Sequence, residues 1–567
     1  LGATFVLFIF SFGVAGSSNL KVVFFPETEP NFIYVYNSLP VGTPIETTDS
    51  VTRLIEERVY EVIGRENPVV KSVITNVALG ASDPNSMDRT AKSNKSKLTV
   101  EFVEFKYRQD VSTREIMGKI RDNVKGIPGS EIVVDQEQSG PPTAPPVNIE
   151  VSSEEFTTLI SYSDQLKSYL DSLSIAGIEE LKWDLELNKP ELVINVNREK
   201  ASELGVSTGQ IGSAIRTAVF GKEASKYREN EDEYPIQVRL DKKYRENLPA
   251  LLDMRISFRD QSSGKFKSIP ISAFADVEYT STYGGINRKD LKKVVSITSN
   301  VLSGYNVAEV NNEVTYWIDQ YTRKNPLPSG MDIKLGGELE EQEETAAFLG
   351  TALGASIMLI LLILITQFNS ISNVLIILSQ VLFSLIGVLL GYVISGMDIS
   401  VVMSGVGIVA LAGIVVNNGI ILLDFFRILH KRGYSLEDSV IEGGAIRFTP
   451  VMLTAISTIL GLVPLALSMN INFVTLITKF NPQIFFGGDN ASFWGPLAWT
   501  IIFGLTFATV VTLLVIPATY YLVRRFERWS RRKMIAWGLL ESSEEDEAAE
   551  NMHNDESREL EIPLPVN

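Results

Sequence analysis

The chain has 567 residues, 45% of them hydrophobic, with a formal net charge of −17 and no cysteine. This is too long for one small domain, and the lack of cysteine excludes a disulfide framework and any thiolate metal site. The charge is not a steering field for cationic partners: Glu541 to Glu561 holds ten acidic side chains against one basic one, Arg558, so much of the excess belongs to a tail that reads as solvated and disordered.

The opening stretch LGATFVLFIFSFGVAG is apolar, with no basic region before it and no small-residue cleavage site after it. It reads as the end of a membrane helix (residues 1–20) whose beginning is missing, and the chain as a fragment of a longer one. Residues 21–340 have the mixed composition of a water-facing domain. In TVEFVEF around Val100, apolar and polar residues partly alternate, as on a half-buried strand; in YPIQVRL, Ile236, Val238 and Leu240 share a face. Helical stripes follow Thr47 (Val51, Leu54, Ile55, Val59, Val62) and run from Phe156 to Leu173. Capping boxes are expected at Ser112 with Glu115, Ser152 with Glu155, and Ser207 with Gln210.

The order strand, helix, strand, strand, helix, strand occurs twice, which predicts two α+β units of split β-α-β type with helices on one face of an antiparallel sheet. The first covers 21–145. The second is divided into 146–189 and 285–340 by an insertion at 190–284, whose segment GKEASKYRENEDEYP suggests an exposed hairpin or arm. GPPTAPPV at 140–147 is a stiff connector, because consecutive prolines fix φ.

Five apolar runs, near 346–367, 372–395, 400–426, 449–470 and 496–523, are long enough to cross a hydrocarbon core, which takes roughly 20 helical residues. With the opening piece they predict a bundle of about six transmembrane helices, five of them in 341–526. Arg427, Lys431, Arg432 and Arg447 lie between the third and fourth runs, and RRFERWSRRK follows the last. The positive-inside rule makes both cytoplasmic, and residues 20–340 fall outside. The tail at 527–567 is first basic, then acidic. The segment NINFVTLITKFNPQIFFGGDNASFWGP between the last two runs carries Phe473, Phe485, Phe486, Phe493 and Trp494, which read as anchors at the outer membrane interface.

FFPETEPN after the first helix, GPPTAPPV, GIVALAGIVVNNGIILLDF, AIRFTPVMLTAISTILGLVPLAL and PATYYLVRRF, in this order and spacing, resemble the C-terminal half of resistance-nodulation-division exporters, particularly the hydrophobe/amphiphile branch. The resemblance implies two porter subdomains and a docking subdomain at 190–284. It also implies a homotrimer in the bacterial inner membrane with its large domain in the periplasm. A periplasmic adaptor, an outer-membrane channel and a missing N-terminal half would complete it, and inward proton flow would drive export of amphiphiles. It places the proton relay at Asn417, Asn418, Arg447 and Thr454, with Asn417 where well-known drug exporters carry a lysine; the paired aspartates would come from the missing half. Helix-to-helix gluing is the competing role for the two asparagines. Ile74, Leu79 and Val100 align approximately with the substrate path, core packing being the alternative for each.

Other classes find little support. His430 and His553 are the only histidines, and no nucleophile–base pair can be argued, so an enzyme is not expected. Metal efflux would want clustered Met, His or Cys, but Met87, Met117, Met254 and Met331 are scattered. No cofactor is expected, there is no basic, aromatic-studded surface for nucleic acid, and a receptor or assembly platform on the same fold remains a further alternative.

Overall fold

The computed structural model describes residues 2–536 except 19, 27, 83–89, 109–110, 138–142, 186–188, 246, 260–263, 284 and 303. Met87, the start of GPPTAPPV and the acidic tail lie outside the described residues.

The first lobe is a four-stranded antiparallel sheet. Its spatial order is Val70–Val77, Lys95–Phe102, Phe32–Ser38, Glu131–Gln136. The helices Ile45–Ile63 and Thr113–Asn123 cover one face. Alternation in Phe32–Ser38 sends Ile33 and Val35 to that face, where they meet Leu98, Val100 and Val134 from neighbouring strands and Ile55, Val59 and Ile120 from the helices. In the first helix the buried stripe is Thr48, Thr52, Ile55, Val59 and Ile63, while Leu54 is exposed. The expected stripe is off because two threonines take inward positions: Thr52 Oγ1 donates to Thr48 O at 2.6 Å and lies in hydrogen-bond contact with Ser96 Oγ at 2.7 Å, so a hydroxyl is satisfied in the core.

The second lobe repeats the strand order with Lys182–Trp183, Lys292–Ser299, Val147–Ser153 and Asp332–Gly336. Its helices are Phe156–Leu173 and Val307–Lys324. Of the three expected capping boxes, only Ser207 with Gln210 is complete. Ser112 caps Glu115 N, but the Glu115 side chain turns to Lys119. Ser152 lies within a strand, and Glu155 stands at the helix start without a side-chain cap.

A separate compact unit comprises 39–44 and 185–288. Lys189–Val196 pairs with Ala275–Thr282, and Ala201, Ile211, Phe258 and Phe274 form its core. The hairpin Lys222–Glu229 with Asp232–Val238 is exposed along its whole length. It is therefore an arm, and Ile236 and Val238 are not half-buried as their alternation suggested.

Among the described residues, five helices are long and apolar enough to cross a membrane: Glu338–Phe368, Ile371–Ser395, Val401–Lys431, Leu436–Ala466 and, within the helix Asp489–Ala536, the stretch Ser492–Ser530. The opening helix Gly2–Ser17, expected as a truncated span, has 16 residues, fewer than the roughly 20 a full crossing needs. Several helices run past their apolar runs because helix continues where hydropathy stops. Ile371–Ser395 and the C-terminal helix approach closely through Gly387, Gly391 and Gly504. Thr500, Thr506, Thr509, Thr512 and Thr519 each donate to the carbonyl four residues back, so no hydroxyl among them is left bare in an apolar setting.

FFPETEPN is a clamp between these parts. Ser400 Oγ donates to Phe24 O at 3.0 Å, and Val22–Val23 pairs with Ile399–Ser400, fixing the chain to the start of the Val401–Lys431 helix. Glu29 accepts from Ser112 Oγ (2.9 Å), Thr113 Oγ1 (2.8 Å) and Arg114 N (3.1 Å), supplying acceptors to the start of Thr113–Asn123. Burial pushes its carboxyl up, but the hydrogen bonds from Thr113, Arg114 and Ser112 outweigh it and hold Glu29 below its usual range. The fully buried Arg108 donates to Val103 O (2.8 Å), Pro30 O (3.2 Å) and Asn31 Oδ1.

Candidate functional site

Asn417 and Asn418 are consecutive on one helix and so point about 100° apart. Asn418 is 4% exposed, while Asn417 opens outward. Thr454 on the next helix shares its hydroxyl proton between Val451 O at 2.9 Å and Asn418 Oδ1 at 3.2 Å. Asn417, Asn418, Thr454 and Thr458 line an open cleft of about 350 Å³, otherwise walled by residues such as Gly413 and Leu505. Three of the four expected relay residues thus meet. Arg447 is not in the cleft wall. Its guanidinium lies 4.3 Å from the Phe425 ring, and its Nε is buried with no acceptor among the described residues.

The polar groups of the cleft are two amides and two hydroxyls, with no carboxylate among the described residues that line it. Such groups neither gain nor lose a proton near neutrality; they orient water or an acidic group brought to them. Asp424, two helical turns from Asn417 on the same stripe, is exposed.

Sequence reasoning missed the polar layer behind the cleft. Gln380, 2% exposed, accepts from Thr512 Oγ1 at 3.2 Å, while its Nε2 lies against Gly419 with no acceptor among the described residues. Tyr392, fully buried, bonds Ser404 (2.8 Å), Thr500 (2.7 Å) and Pro496 O (3.0 Å). The available signal was a lone Gln and a lone Tyr in apolar runs, since isolated polar groups at membrane depth tend to face a bundle interior.

Val100 sits in the core of the first lobe, as the packing alternative expects. It is 0% exposed, sealed between Ile33 and Val73 on the helix-covered side of the sheet. Ile74 and Leu79 are 51% and 74% exposed. Ile74 pairs with Thr99 on the uncovered face, where strand alternation also places Phe32, Tyr34 and Tyr36. The Phe32 and Tyr34 rings stack with centroids 6.4 Å apart, Tyr34 and Tyr36 are 5.9 Å apart, and Lys97 Nζ lies 5.8 Å over Tyr34. This aromatic ladder was legible in the alternation of FIYVYNS.

A half-buried ion pair joins the lobes. Arg121 Nε donates to Glu179 at 3.0 Å and Arg121 Nη2 to Val134 O at 2.9 Å, with Asn300 on the other Glu179 oxygen at 3.3 Å. Beside it, burial pulls the Lys182 ammonium down despite the opposing pull of Glu180, Glu131, Glu179 and Asp135, and burial pushes the Glu180 carboxyl up.

Residues 3–524 match the model of the AcrB/AcrD/AcrF family. The chain belongs to that family. Its members are resistance-nodulation-division efflux transporters of the inner membrane, not enzymes. Among curated relatives, the cobalt-zinc-cadmium resistance protein CzcA of Cupriavidus metallidurans is 28% identical over 351 residues, 62% of this chain and 31% of CzcA. HelA of Legionella pneumophila is 24% identical over 92% of this chain and 47% of its own length. The swarming motility protein SwrC of Bacillus subtilis is 28% identical over 60% of this chain and 30% of its own. A crystal structure titled as a heavy metal efflux pump superposes with a TM-score of 0.70 at 21% identity, covering 92% of this chain and 50% of that one. The chain thus spans half or less of the relatives it matches. The hydrophobe/amphiphile branch expected from the motifs is not singled out by these relatives, since a metal-resistance protein stands among them.

Proposed function

We propose that the chain forms one half of a proton-driven efflux transporter whose remaining half brings acidic groups to the Asn417–Asn418–Thr454 cleft. The hydrogen bond from Thr454 to Asn418 at the mouth of that cleft carries this reading. It joins two membrane helices through groups that can hand hydrogen bonds to an incoming carboxylate and release them when the carboxylate is protonated. Asn417 cannot provide the positive charge of a lysine, so the partner carboxylate titrates at higher pH than it would beside an ammonium. The assembly belonging to this reading is a homotrimer in the inner membrane, porter lobes in the periplasm, with an adaptor and an outer-membrane channel.

The substrate class that fits best is hydrophobic or amphiphilic. Its support is the ladder of Phe32, Tyr34 and Tyr36 with Lys97 over Tyr34, a surface suited to apolar rings and to aromatic stacking. Metal efflux is the second reading, favoured by the likeness to CzcA. The test is accumulation of a dye and detergent panel, and of zinc, cadmium and cobalt, in cells with and without the full gene. Thr454→Ala is expected to lower export while assembly is retained. Unchanged export in that variant removes Thr454 from the relay, and efflux of metals alone replaces the substrate reading with the second one.

A further inference from the structure

The segment between the last two membrane helices folds as a closed hairpin. Met469–Asn470 pairs with Phe485–Phe486, Asn470 Nδ2 donates to Gly487 O at 2.6 Å, and Asn472 N donates to Pro482 O at 2.9 Å. Its base is covered: a Cβ on Gly487, whose φ is +98°, would lie 2.5 Å from the Phe105 ring of the first lobe. Phe493 is held there too, stacked on Phe25 with centroids 5.8 Å apart, and so is not a free interface anchor. The tip is the opposite. The helix Phe473–Lys479 buries none of its residues, and Phe473, Ile477 and Phe480 are 65%, 76% and 91% exposed.

Bare apolar side chains of this size on a closed, hydrogen-bonded hairpin need a cover. The chain says which. Two residues separate the hairpin from the end of Leu436–Ala466, and two more separate it from the start of Asp489–Ala536. Roughly 20 helical residues from Arg447 exhaust a hydrocarbon core and end at the foot of the hairpin. Trp494, half-exposed, lies at the same end of the last span, where aromatic residues gather at a bilayer surface. Both strands of the hairpin are therefore tethered at the level of the lipid headgroups.

We propose that the hairpin Met469–Phe486 is an interfacial anchor, with Phe473, Ile477 and Phe480 seated at the headgroup–acyl boundary of the leaflet facing the lobes. Only the identity of that leaflet as the periplasmic one rests on the topology proposed above; the depth does not. The test places a spin label at Ile477→Cys, in a chain that has no other cysteine, and reconstitutes the full transporter, with any cysteine of its other part replaced, into phosphatidylethanolamine–phosphatidylglycerol vesicles. Phe473→Cys is the second site, and Asn230→Cys, in the turn of the exposed arm, the aqueous control. Collision with oxygen should exceed collision with a water-soluble nickel chelate at Ile477 and Phe473, the reverse of the Asn230 ratio. A nickel-accessible, oxygen-poor label at both sites overturns the proposal, as the hairpin would then stand in water. Labels shielded from both reagents overturn it as well, since protein would then be the cover. Lipid depth together with a failed efflux assay would refute the transport reading and leave the anchor standing.

Discussion

The seam between Ile371–Ser395 and the C-terminal helix offers a sharp test of the packing. A Cβ added at Gly387 would lie 2.4 Å from Phe507 Cβ, 2.6 Å from Phe503 O and 3.3 Å from Gly504 Cα, against an ordinary contact of 3.4–4 Å. These atoms are backbone or directly attached to it, so no rotamer change relieves them and the helices must part by roughly 0.8 Å. Overpacking a well-filled interface is worth about 3 kcal/mol at the upper end, and alanine returns about 1 kcal/mol through helix propensity, leaving a net loss near 2 kcal/mol. At about 2–4 °C per kcal/mol for a bundle of this size, Gly387→Ala should unfold about 4–8 °C lower, read by tryptophan fluorescence on the full transporter in detergent. Gly354→Ala, where nothing lies within 4 Å of an added Cβ, is the reference and should melt unchanged or slightly higher. Equal melting of the two variants would refute the close approach of these helices.

Three further outcomes follow from the geometry. Gly419→Ala would put a Cβ 2.6 Å from Gln380 Nε2; it should be destabilising by about 1–3 kcal/mol and be largely rescued by Gln380→Ala, a double-mutant cycle with no coupling speaking against the contact. Arg121→Met strands Glu179 at the lobe junction, where the two side chains are 13% and 14% exposed; a loss of up to about 3 kcal/mol is expected, with Arg121→Lys recovering part of it, and a neutral Arg121→Met would show the pair to be idle. Glu29 has its folded carboxyl held below the ordinary 4.5, so its contribution is present above that value and is lost as the pH falls through the lower, folded value. Thermal stability of the unaltered protein should therefore drop more steeply below pH 4.5 than that of Glu29→Gln, and parallel profiles would refute the capping role.

Much of this was legible in the residues because period and element agree. The repeated strand–helix order predicts both lobes, and both form with the expected βαββαβ succession. Apolar runs predict the five long helices, though not their ends, because Leu436–Ala466 begins with Leu-Glu-Asp-Ser, capped by Ser435, well before its lipid-like part. Of the candidate site, the neighbours Asn418 and Thr454 were reached through the family resemblance. Gln380 against Gly419 was not, since the partners are far apart in sequence and neither amide nor glycine is unusual alone. YPIQVRL misled because alternation describes a strand without saying that anything covers it, and the approximate alignment at Val100 does not say which face of a sheet a residue occupies.

The detour at 185–288 lies between the second and third strands of the second lobe, and its presence orders biogenesis. The first lobe is complete once residue 136 has emerged. Val147–Ser153 emerges soon after but waits for both flanking neighbours, Lys292–Ser299 and Asp332–Gly336, until the whole detour has been made. At a synthesis rate of about 5–20 residues per second, that central strand keeps two open edges for on the order of ten seconds.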